Sequence, residues 1–330
     1  MRTDAVVTDT PTFSVLVSFF NAEETVGEAI ESVQAQTCAD WELIAIDDGS
    51  TDGSSEVVAR YAAADPRIRL IRRTNGGCPA ARNTGIDAAQ GRYCALLDAD
   101  DIWLPGKLQR QLPYLVDRTV VYSDGFVEED GQRYPYSRRI DLPNGVYPSG
   151  DVFDSLLEGN FVPSLTVVLA TDLLRESGGF DESLLISFDW DLWLRLALAG
   201  VPFTFVPEPL AVYRIRAGSL SSDQLALREN AVTIVRLTRD RVEGSQRLAV
   251  EKRLRRARRD LEVFLRKRAW ISAAGGDTRS ARRDLVASAR TNPRAPRAVA
   301  GLLLAFAPPL LRWYAKRVPL ANLAGVFVRA

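Results

Sequence analysis

Carboxylates gather at three places in this chain where chemistry could be done. Asp98-Ala99-Asp100-Asp101 sets three of them in four residues at the end of an apolar run, RYCALL. Such a group repels itself and is costly to hold at a strand end without a cation. A divalent metal carrying a diphosphate removes that cost and neutralises charge growing on a leaving phosphate; the plainer reading is a solvated acidic turn with Asp101 capping the next helix. Asp47-Asp48-Gly49-Ser50-Thr51-Asp52 ends another apolar run. A carboxylate there suits a base or ribose, and the same residues also suit a turn followed by an N-capping hydroxyl. Ser187-Phe188-Asp189-Trp190-Asp191-Leu192-Trp193-Leu194-Arg195 places two carboxylates and two Trp at a helix start. The helix dipole would keep Asp189 ionised, as a general base or a capping residue should be. Trp190 or Trp193 could stack on a sugar ring, against a plain reading as an amphipathic helix with Trp193 in the core. A fourth stretch, Asn75 to Gly85, puts a glycine pair before a helix. Its backbone could approach a ligand and Arg82 could pair with a phosphate or base edge; otherwise it is a flexible loop with a surface arginine.

Composition narrows these options. The 330 residues include no histidine, which excludes histidine bases, histidine metal ligands and the Ser-His-Asp triad. Any metal site must be oxygen-rich, favouring Mg²⁺ or Mn²⁺ over Zn²⁺. Cys38, Cys78 and Cys94 are few and unpatterned, and read as buried thiols of a cytosolic protein. Net charge is zero, but Glu251–Ala330 holds 19 Lys/Arg against 5 Asp/Glu, leaving −14 on the first 250 residues. An acidic body and a basic tail are expected, the tail seeking something anionic. Residues 1–12 lack the apolar core of a signal peptide, and no run reaches the roughly 18 apolar residues of a spanning helix; a cytoplasmic chain is expected.

The acidic clusters need elements to hold them. Phe13–Phe19, Glu42–Ile46, Ile68–Ile71, Arg92–Leu97 and Thr119–Ser123 read as strands. Helical segments intervene at Ala22–Gln36 (Asn21 as N-cap), Gly53–Ala64, Pro79–Ala89 and Pro105–Leu115. Such alternation argues for βαβ units and a mixed, mainly parallel α/β sheet, whose ligands bind beyond the carboxyl ends of the strands. The clusters after strands one, two and four should therefore converge. Residues 125–150 read as a loop. Helical patterns return at Asp151–Gly159, Phe188–Ala199 and from Gln224 to about Arg290.

Together these segments resemble the family 2 glycosyltransferases. Ser18-Phe19-Phe20-Asn21-Ala22-Glu23 is similar to the family's opening turn, Asp47–Asp52 to its second signature and Ala81-Arg82-Asn83-Thr84-Gly85 to its A-R-N-x-G stretch. Asp98–Pro105 is similar to its metal segment, and Gly178–Glu182 and Asp189–Arg195 to two later ones. Six motifs in order over Thr12–Ser222 make the resemblance specific. It implies the GT-A nucleotide-diphospho-sugar transferase fold over residues 1–222, followed by a helical, basic region over 223–330. It implies inverting transfer from a nucleotide-diphosphate-sugar donor to a saccharide or lipid-linked acceptor, with Mn²⁺ or Mg²⁺ as cofactor, in cell-surface polysaccharide or glycolipid synthesis. Ser18, Phe19, Glu23, Asp48, Arg82, Asp98 and Asp100 would hold the donor, Asp100 and Asp101 the metal, and Asp189 would be the base. Trp103, Trp190, Asp191, Arg214 and Arg216 are candidates for the acceptor or diphosphate. The pattern departs at Phe20 (usually Tyr), Phe188 (usually Glu) and Arg216 (usually His). The Q-x-x-R-W signature of processive synthases is absent, so transfer of one sugar or a few is expected.

Lys252–Arg259 and Arg266–Arg268 lie on a helical pattern with Leu254, Leu261, Phe264 and Leu265. With Ala298–Leu311 and the cationic-aromatic run after it, this reads as a surface for an anionic membrane, on the inner face of the cell membrane, or as an appendage whose apolar stripe covers the catalytic domain. An inactive sugar-nucleotide-binding scaffold is the rival function. Nucleic acid is not an expected partner, because the acidic body would oppose its backbone.

Overall fold

The computed structural model describes residues 10–116, 118–140, 142, 145–216, 223–306, 309 and 313. Contacts divide the chain into two compact units, Met1–Ala217 and Gly218–Ala330.

The first unit grows from β1 (Phe13–Phe19), buried over its whole length. A run without polar alternation fits a strand covered on both faces. Helix α1 (Val26–Gln34) leads to β2 (Trp41–Asp47), α2 (Ser54–Ala64) to β3 (Ile68–Arg72), and α3 (Cys78–Ala88) to β4 (Tyr93–Asp98). These four strands are parallel. Then follow β5 (Ile102–Trp103), α4 (Lys107–Gln111), β6 (Val120–Glu129), β7 (Gln132–Pro135), α5 (Phe153–Glu158), β8 (Val168–Ala170), α6 (Thr171–Glu176), α7 (Phe188–Leu198) and β9 (Phe203–Arg214). The described strands form one mixed sheet in the order β3-β2-β1-β4-β8-β6-β9-β5, with β7 hairpinned onto β6. A core of Val15, Val17, Leu43, Ala45, Leu97 and their neighbours lies against α1 and α2.

Register gathers the site. Ser18 stands beside Ile46 on one side and Asp98 on the other, and Phe19 beside Asp47. The carboxyl ends of β1, β2 and β4 therefore share one edge. Across the sheet, Ile102 pairs with Val212 and Trp103 with Ala211, which carries Arg214 to the acidic strand end.

Several elements differ from expectation. Asn21 does not cap α1, which begins after Thr25; Asn21 takes a left-handed φ of 49° and its side-chain oxygen accepts from the Thr51 N–H at 2.8 Å. The helix expected over 105–115 stops at Gln111 and tightens to a 3₁₀ turn, since Pro113 has no N–H to continue it. Residues 125–135 are not loop but the extended end of β6 and β7. β9 lacks a clear sequence signal because Pro207 and Pro209 interrupt it. The β6–β9 register shifts between Ser123/Val206 and Asp124/Pro209, and such irregularities are where a strand tolerates proline.

The second unit is helical: α8 (Gln224–Arg241), α9 (Gly244–Ala274), α10 (Thr278–Thr291) and α11 (Pro296–Ala305). α9 packs on α8 and α10. It buries Leu254, Leu261, Phe264 and Leu265, the stripe that the sequence offered to a membrane, so that stripe is an interior face. Arg268 pairs with Asp284 of α10 through two nitrogens at 2.6 and 2.8 Å. Among the described residues, no helix is long and apolar enough to cross a membrane.

One glycine ties the turn before β4 to the start of β1. A Cβ on Gly91 would lie 2.5 Å from the Ser14 nitrogen and 2.6 Å from the Phe13 carbonyl carbon, backbone atoms that cannot rotate away. The Gly91 N–H donates to Ser14 Oγ at 2.8 Å, and Ser14 donates to Glu42 at 2.6 Å. Gly91→Ala is expected to cost about 1–3 kcal/mol, read as a lowered urea midpoint at unchanged m-value.

Candidate active site

The acidic strand end is a tight turn closed by backbone. The Asp101 N–H donates to the Asp98 carbonyl at 3.0 Å, which folds the chain back toward β5. Asp101 is fully buried. One of its oxygens accepts from the Arg214 N–H at 2.8 Å; the other, among the described residues, is buried with no hydrogen-bond partner. The Arg214 guanidinium donates to the Asp100 carbonyl and to Glu28, clamping the turn from the far strand. Burial pushes the Asp101 carboxyl well above the carboxylate range, and Asp100 and Asp98 add to the rise. Burial also raises Asp100, with Asp98 adding and Arg214 and exposed Arg216 opposing.

This donor set fits a hard cation. Among the described residues, no three acidic or thiol side chains form a closed cage. A magnesium-type ion shared with a substrate diphosphate needs only one or two carboxylates. The unpartnered Asp101 oxygen and the neighbouring Asp100 carboxylate could supply them.

Arg82 connects this turn to the expected base. It leaves α3 almost wholly buried and donates to Asp98 at 2.5 Å and to Ser164 Oγ at 3.0 Å. Its guanidinium carbon lies 5.3 Å from the Phe180 ring and 5.0 Å from that of Phe188. Phe188, which departs from the family pattern, thus forms part of an aromatic seat for a cation. Burial works against the charge of Arg82, but Asp98, Cys78 and Asp189 hold its pKa above the ordinary value.

Asp189 is the second residue of α7 and half-buried. One oxygen accepts from Asn160 Nδ2 at 3.0 Å, the other from the Trp190 N–H at 2.8 Å. The helix start was expected to keep this carboxyl ionised. Burial is instead the largest influence and raises its pKa, while Arg82, the Trp190 N–H and Asn160 pull it back. A carboxylate so placed is a stronger base than one in water.

The loops after β1 and β2 form the other wall. Asp48 is nearly fully buried and accepts from Arg73 at 2.6 Å and from the N–H groups of Gly76 and Gly77 at 3.0 and 2.7 Å. It thereby fixes the glycine loop that precedes α3. Gly77 there has φ 90°, a conformation L side chains avoid. Glu23 is exposed and accepts from the Gly53 N–H at 3.0 Å, joining the first loop to the start of α2. Ser18 lies 3.4 Å from Cys78 Sγ. Phe19 differs from the others: its side chain belongs to the core, and only its carbonyl reaches the loop, accepting from the Asp48 N–H at 2.9 Å.

Three acceptor candidates are structural. Trp103 is 1% exposed, its indole donates to the Leu165 carbonyl at 2.8 Å, and Lys107 Nζ lies 4.2 Å from its ring. Trp190 is buried and donates to the Leu156 carbonyl at 2.7 Å. Asp191 is wholly buried and accepts from Arg195 at 2.8 Å; that arginine also binds the Ser177 carbonyl at 2.6 Å. Each sits within two residues of a site residue in sequence but faces the core. Ala217-Gly218-Ser219 lies outside the described residues.

The structure adds Asn160, Ser164 and Tyr136. Burial raises the Tyr136 hydroxyl pKa, followed by the nearby charges of Tyr213 and Asp189, with Asp101 also contributing. It thus stands in the field of both halves of the site. All three come from irregular segments without periodicity, which gave no signal.

Comparison with known proteins bears on the family and the fold. The family model described as "Glycosyl transferase family 2" matches residues 14–171. A Bacillus subtilis (strain 168) chain named as a teichuronic acid biosynthesis glycosyltransferase, TuaG, is 33% identical over 65% of this chain and 83% of its own. The Escherichia coli UDP-Glc:alpha-D-GlcNAc-diphosphoundecaprenol beta-1,3-glucosyltransferase WfgD is 30% identical over 64% of this chain and 80% of its own. Other curated relatives are longer, and the chain spans about a third of them. The mannosyltransferase PcManGT from Pyrobaculum calidifontis, solved with GDP-Man and Mn²⁺, superposes with a TM-score of 0.56 at 20% identity, over 97% of this chain and 87% of its own. It shares the GT-A fold.

The orphaned oxygen of Asp101 is testable. A carboxyl whose folded pKa is raised stabilises the fold while protonated and loses that contribution as pH rises through the raised value. At pH 8 without metal, Asp101→Asn is therefore expected to raise the melting temperature by a few degrees, since about 1 kcal/mol moves Tm ~2–4 °C in a domain of roughly 200 residues. The same variant should lose most of the stabilisation that Mn²⁺ plus nucleoside diphosphate gives the native chain.

Proposed function

Because the chain belongs to glycosyl transferase family 2 and is a glycosyltransferase, we propose that it moves a sugar from a nucleotide-diphosphate donor to an acceptor hydroxyl by a single inverting displacement. The observation that carries this is Asp189: a carboxylate raised by burial, oriented by Asn160, and linked through Arg82 to the acidic strand end.

The nucleotide would rest at the carboxyl edge of β1 and β2, against Ser18, Glu23 and the Asp48-fixed glycine loop. Asp100 and Asp101 would hold a Mg²⁺ or Mn²⁺ ion, whose bound charge lowers the cost of a departing diphosphate. Arg82, neutralised by Asp98 before substrate arrives, is placed to share that pair with donor oxygens. Asp189 takes the proton of the acceptor hydroxyl. The acceptor oxygen bonds to the anomeric carbon from the face opposite the diphosphate, the bond from that carbon to the phosphate oxygen breaks, and the nucleoside diphosphate leaves. Configuration inverts, because no enzyme group bonds to the sugar.

The acceptor reading is a saccharide on a lipid diphosphate, added to one sugar or a few at a time in cell-surface polysaccharide synthesis. Its support is the similarity to TuaG and to WfgD, whose name specifies a diphosphoundecaprenol acceptor. Such acceptors would keep the working enzyme at the cytoplasmic face of the membrane.

Thermal shift with a panel of nucleoside diphosphates and their sugars, with and without Mn²⁺, is expected to pick out one base, and only with metal. Stabilisation indifferent to metal would sink the metal assignment. Asp189→Asn should cut turnover by about 10²–10⁴-fold while leaving donor stabilisation intact. Unchanged turnover in that variant would remove Asp189 as base.

The pH profile follows from the raised carboxyl. The base works only when deprotonated, so activity should fall as pH drops through its pKa. The acid limb of kcat is expected above the ordinary carboxylate value of about 3.9. Asn160→Ala, which removes a hydrogen bond to the ionised form, should move that limb further up.

A further inference from the structure

The helical unit carries a face that sugar transfer does not use. α11 seats itself on α10 through its smallest side chains: Ala298, Gly301 and Ala305 are buried, and a Cβ on Gly301 would lie 2.9 Å from Leu285. Leu304 also packs against the α9–α10 core, but three other large side chains point the other way. Val299 is 42% exposed, Leu303 71% and Phe306, at its C-cap, 64%. These positions recur at i, i+4 and i+7 and so form one stripe. A water-soluble surface helix buries such a stripe; here the stripe is exposed.

Cations border the stripe. Arg279, Arg282, Arg283 and Arg290 line a shallow open groove on α10 together with Val286. The Arg282 guanidinium lies 4.7 Å from the Phe306 ring, joining the two features. From Leu285 to Ala330 the sequence has seven Lys/Arg and no Asp/Glu.

We propose that this α10–α11 face docks on an anionic lipid bilayer, with Val299, Leu303 and Phe306 entering the headgroup boundary and the α10 arginines meeting lipid phosphates. A second copy of the chain fits less well. A two-fold contact through this face would set arginine against arginine, since the two acidic residues of this stretch are already engaged, Asp277 as the N-cap of α10 and Asp284 buried against Arg268 and 3.5 Å from Arg283. A nucleic acid would satisfy the arginines but leave Leu303 and Phe306 in water. An anionic bilayer satisfies both, offering phosphate at the depth of the arginines and hydrocarbon just beneath. Docking of this kind needs no donor, metal or acceptor, so it stands or falls apart from the transfer reaction.

The test is co-sedimentation of the full chain with phosphatidylcholine vesicles, with and without phosphatidylglycerol. The chain is expected to bind the anionic vesicles at low salt and to keep part of that binding at high salt, through the apolar stripe. Leu303→Glu with Phe306→Glu should weaken binding at least tenfold at every salt concentration. The milder Leu303→Ser with Phe306→Ser should weaken it in the same direction. Arg282→Glu with Arg283→Glu should abolish the preference for anionic vesicles. Circular dichroism and nucleotide-induced thermal shift should be unchanged in all three. Absence of binding to anionic vesicles at low salt overturns the proposal. So does binding that salt removes entirely and that the Leu303/Phe306 variants leave intact. A dimer in solution that Leu303→Glu dissociates, without vesicle binding by the native chain, assigns the face to a second copy instead.

Discussion

The site is organised around one ion pair, its arginine buried and its carboxylate 30% exposed. Arg82 is held away from water against Asp98, with two phenylalanine rings beneath it and Ser164 alongside. Removing one partner of such a pair leaves a bare charge in the interior, at a cost of about 3–5 kcal/mol. The arrangement therefore links three distant stretches: α3 supplies the arginine, β4 the carboxylate, and the segments around Phe180 and Phe188 the seat. It also sets the electrostatics of Asp189, whose rise through burial is checked first by Arg82. The same cation thus tempers the base and neutralises the acidic strand end.

That strand end is under charge stress, and the stress is informative. Asp98 raises the proton affinity of Asp100, both raise that of Asp101 beyond what burial does, and Asp101 keeps a buried oxygen without a hydrogen-bond partner among the described residues. A fold tolerates an uncompensated buried carboxylate poorly. Here the surroundings hold it rigidly: its other oxygen accepts a backbone N–H, and Arg214 grips the Asp100 carbonyl. A turn fixed that firmly around an unmet negative charge is suited to an arriving cation, and its cost is local rather than global.

Charge is also partitioned along the chain. The acidic body gathers Asp48, Asp98, Asp100 and Asp101 at one sheet edge. The basic half spends several arginines inside its own bundle, as Arg268 on Asp284 and Arg266 on Glu262 show, and leaves others on α10 facing outward. Sequence alone cannot separate these two uses of arginine, since both lie on amphipathic patterns.

Strand-and-helix alternation over the first 125 residues, and acidic groups after strands one, two and four, were legible because they follow from local periodicity and from the rule that parallel strands end at one edge. That Asp98, Asp100, Asp101 and Asp189 belong together was implied by the resemblance to family 2 glycosyltransferases; their types and spacing alone left a solvated acidic turn and a capped helix open. Legibility ended where side-chain direction or distant pairing decides. Trp103, Trp190 and Asp191 neighbour site residues in sequence, yet each rotates into the core, because a helix or strand sends successive side chains to different faces. Asn160, Ser164 and Tyr136 join the site from aperiodic segments. β9 hides its strand character behind two prolines that only its partner's register shift accommodates. The stripe on α9 was real, but tertiary packing turned it inward, while α11 turned its small residues in and left Val299, Leu303 and Phe306 out. The sequence by itself determined which residues could react and in what order they occur. Only the tertiary structure decided which of them face the same space, because that depends on burial and pairing between residues as far apart as Arg82 and Ser164.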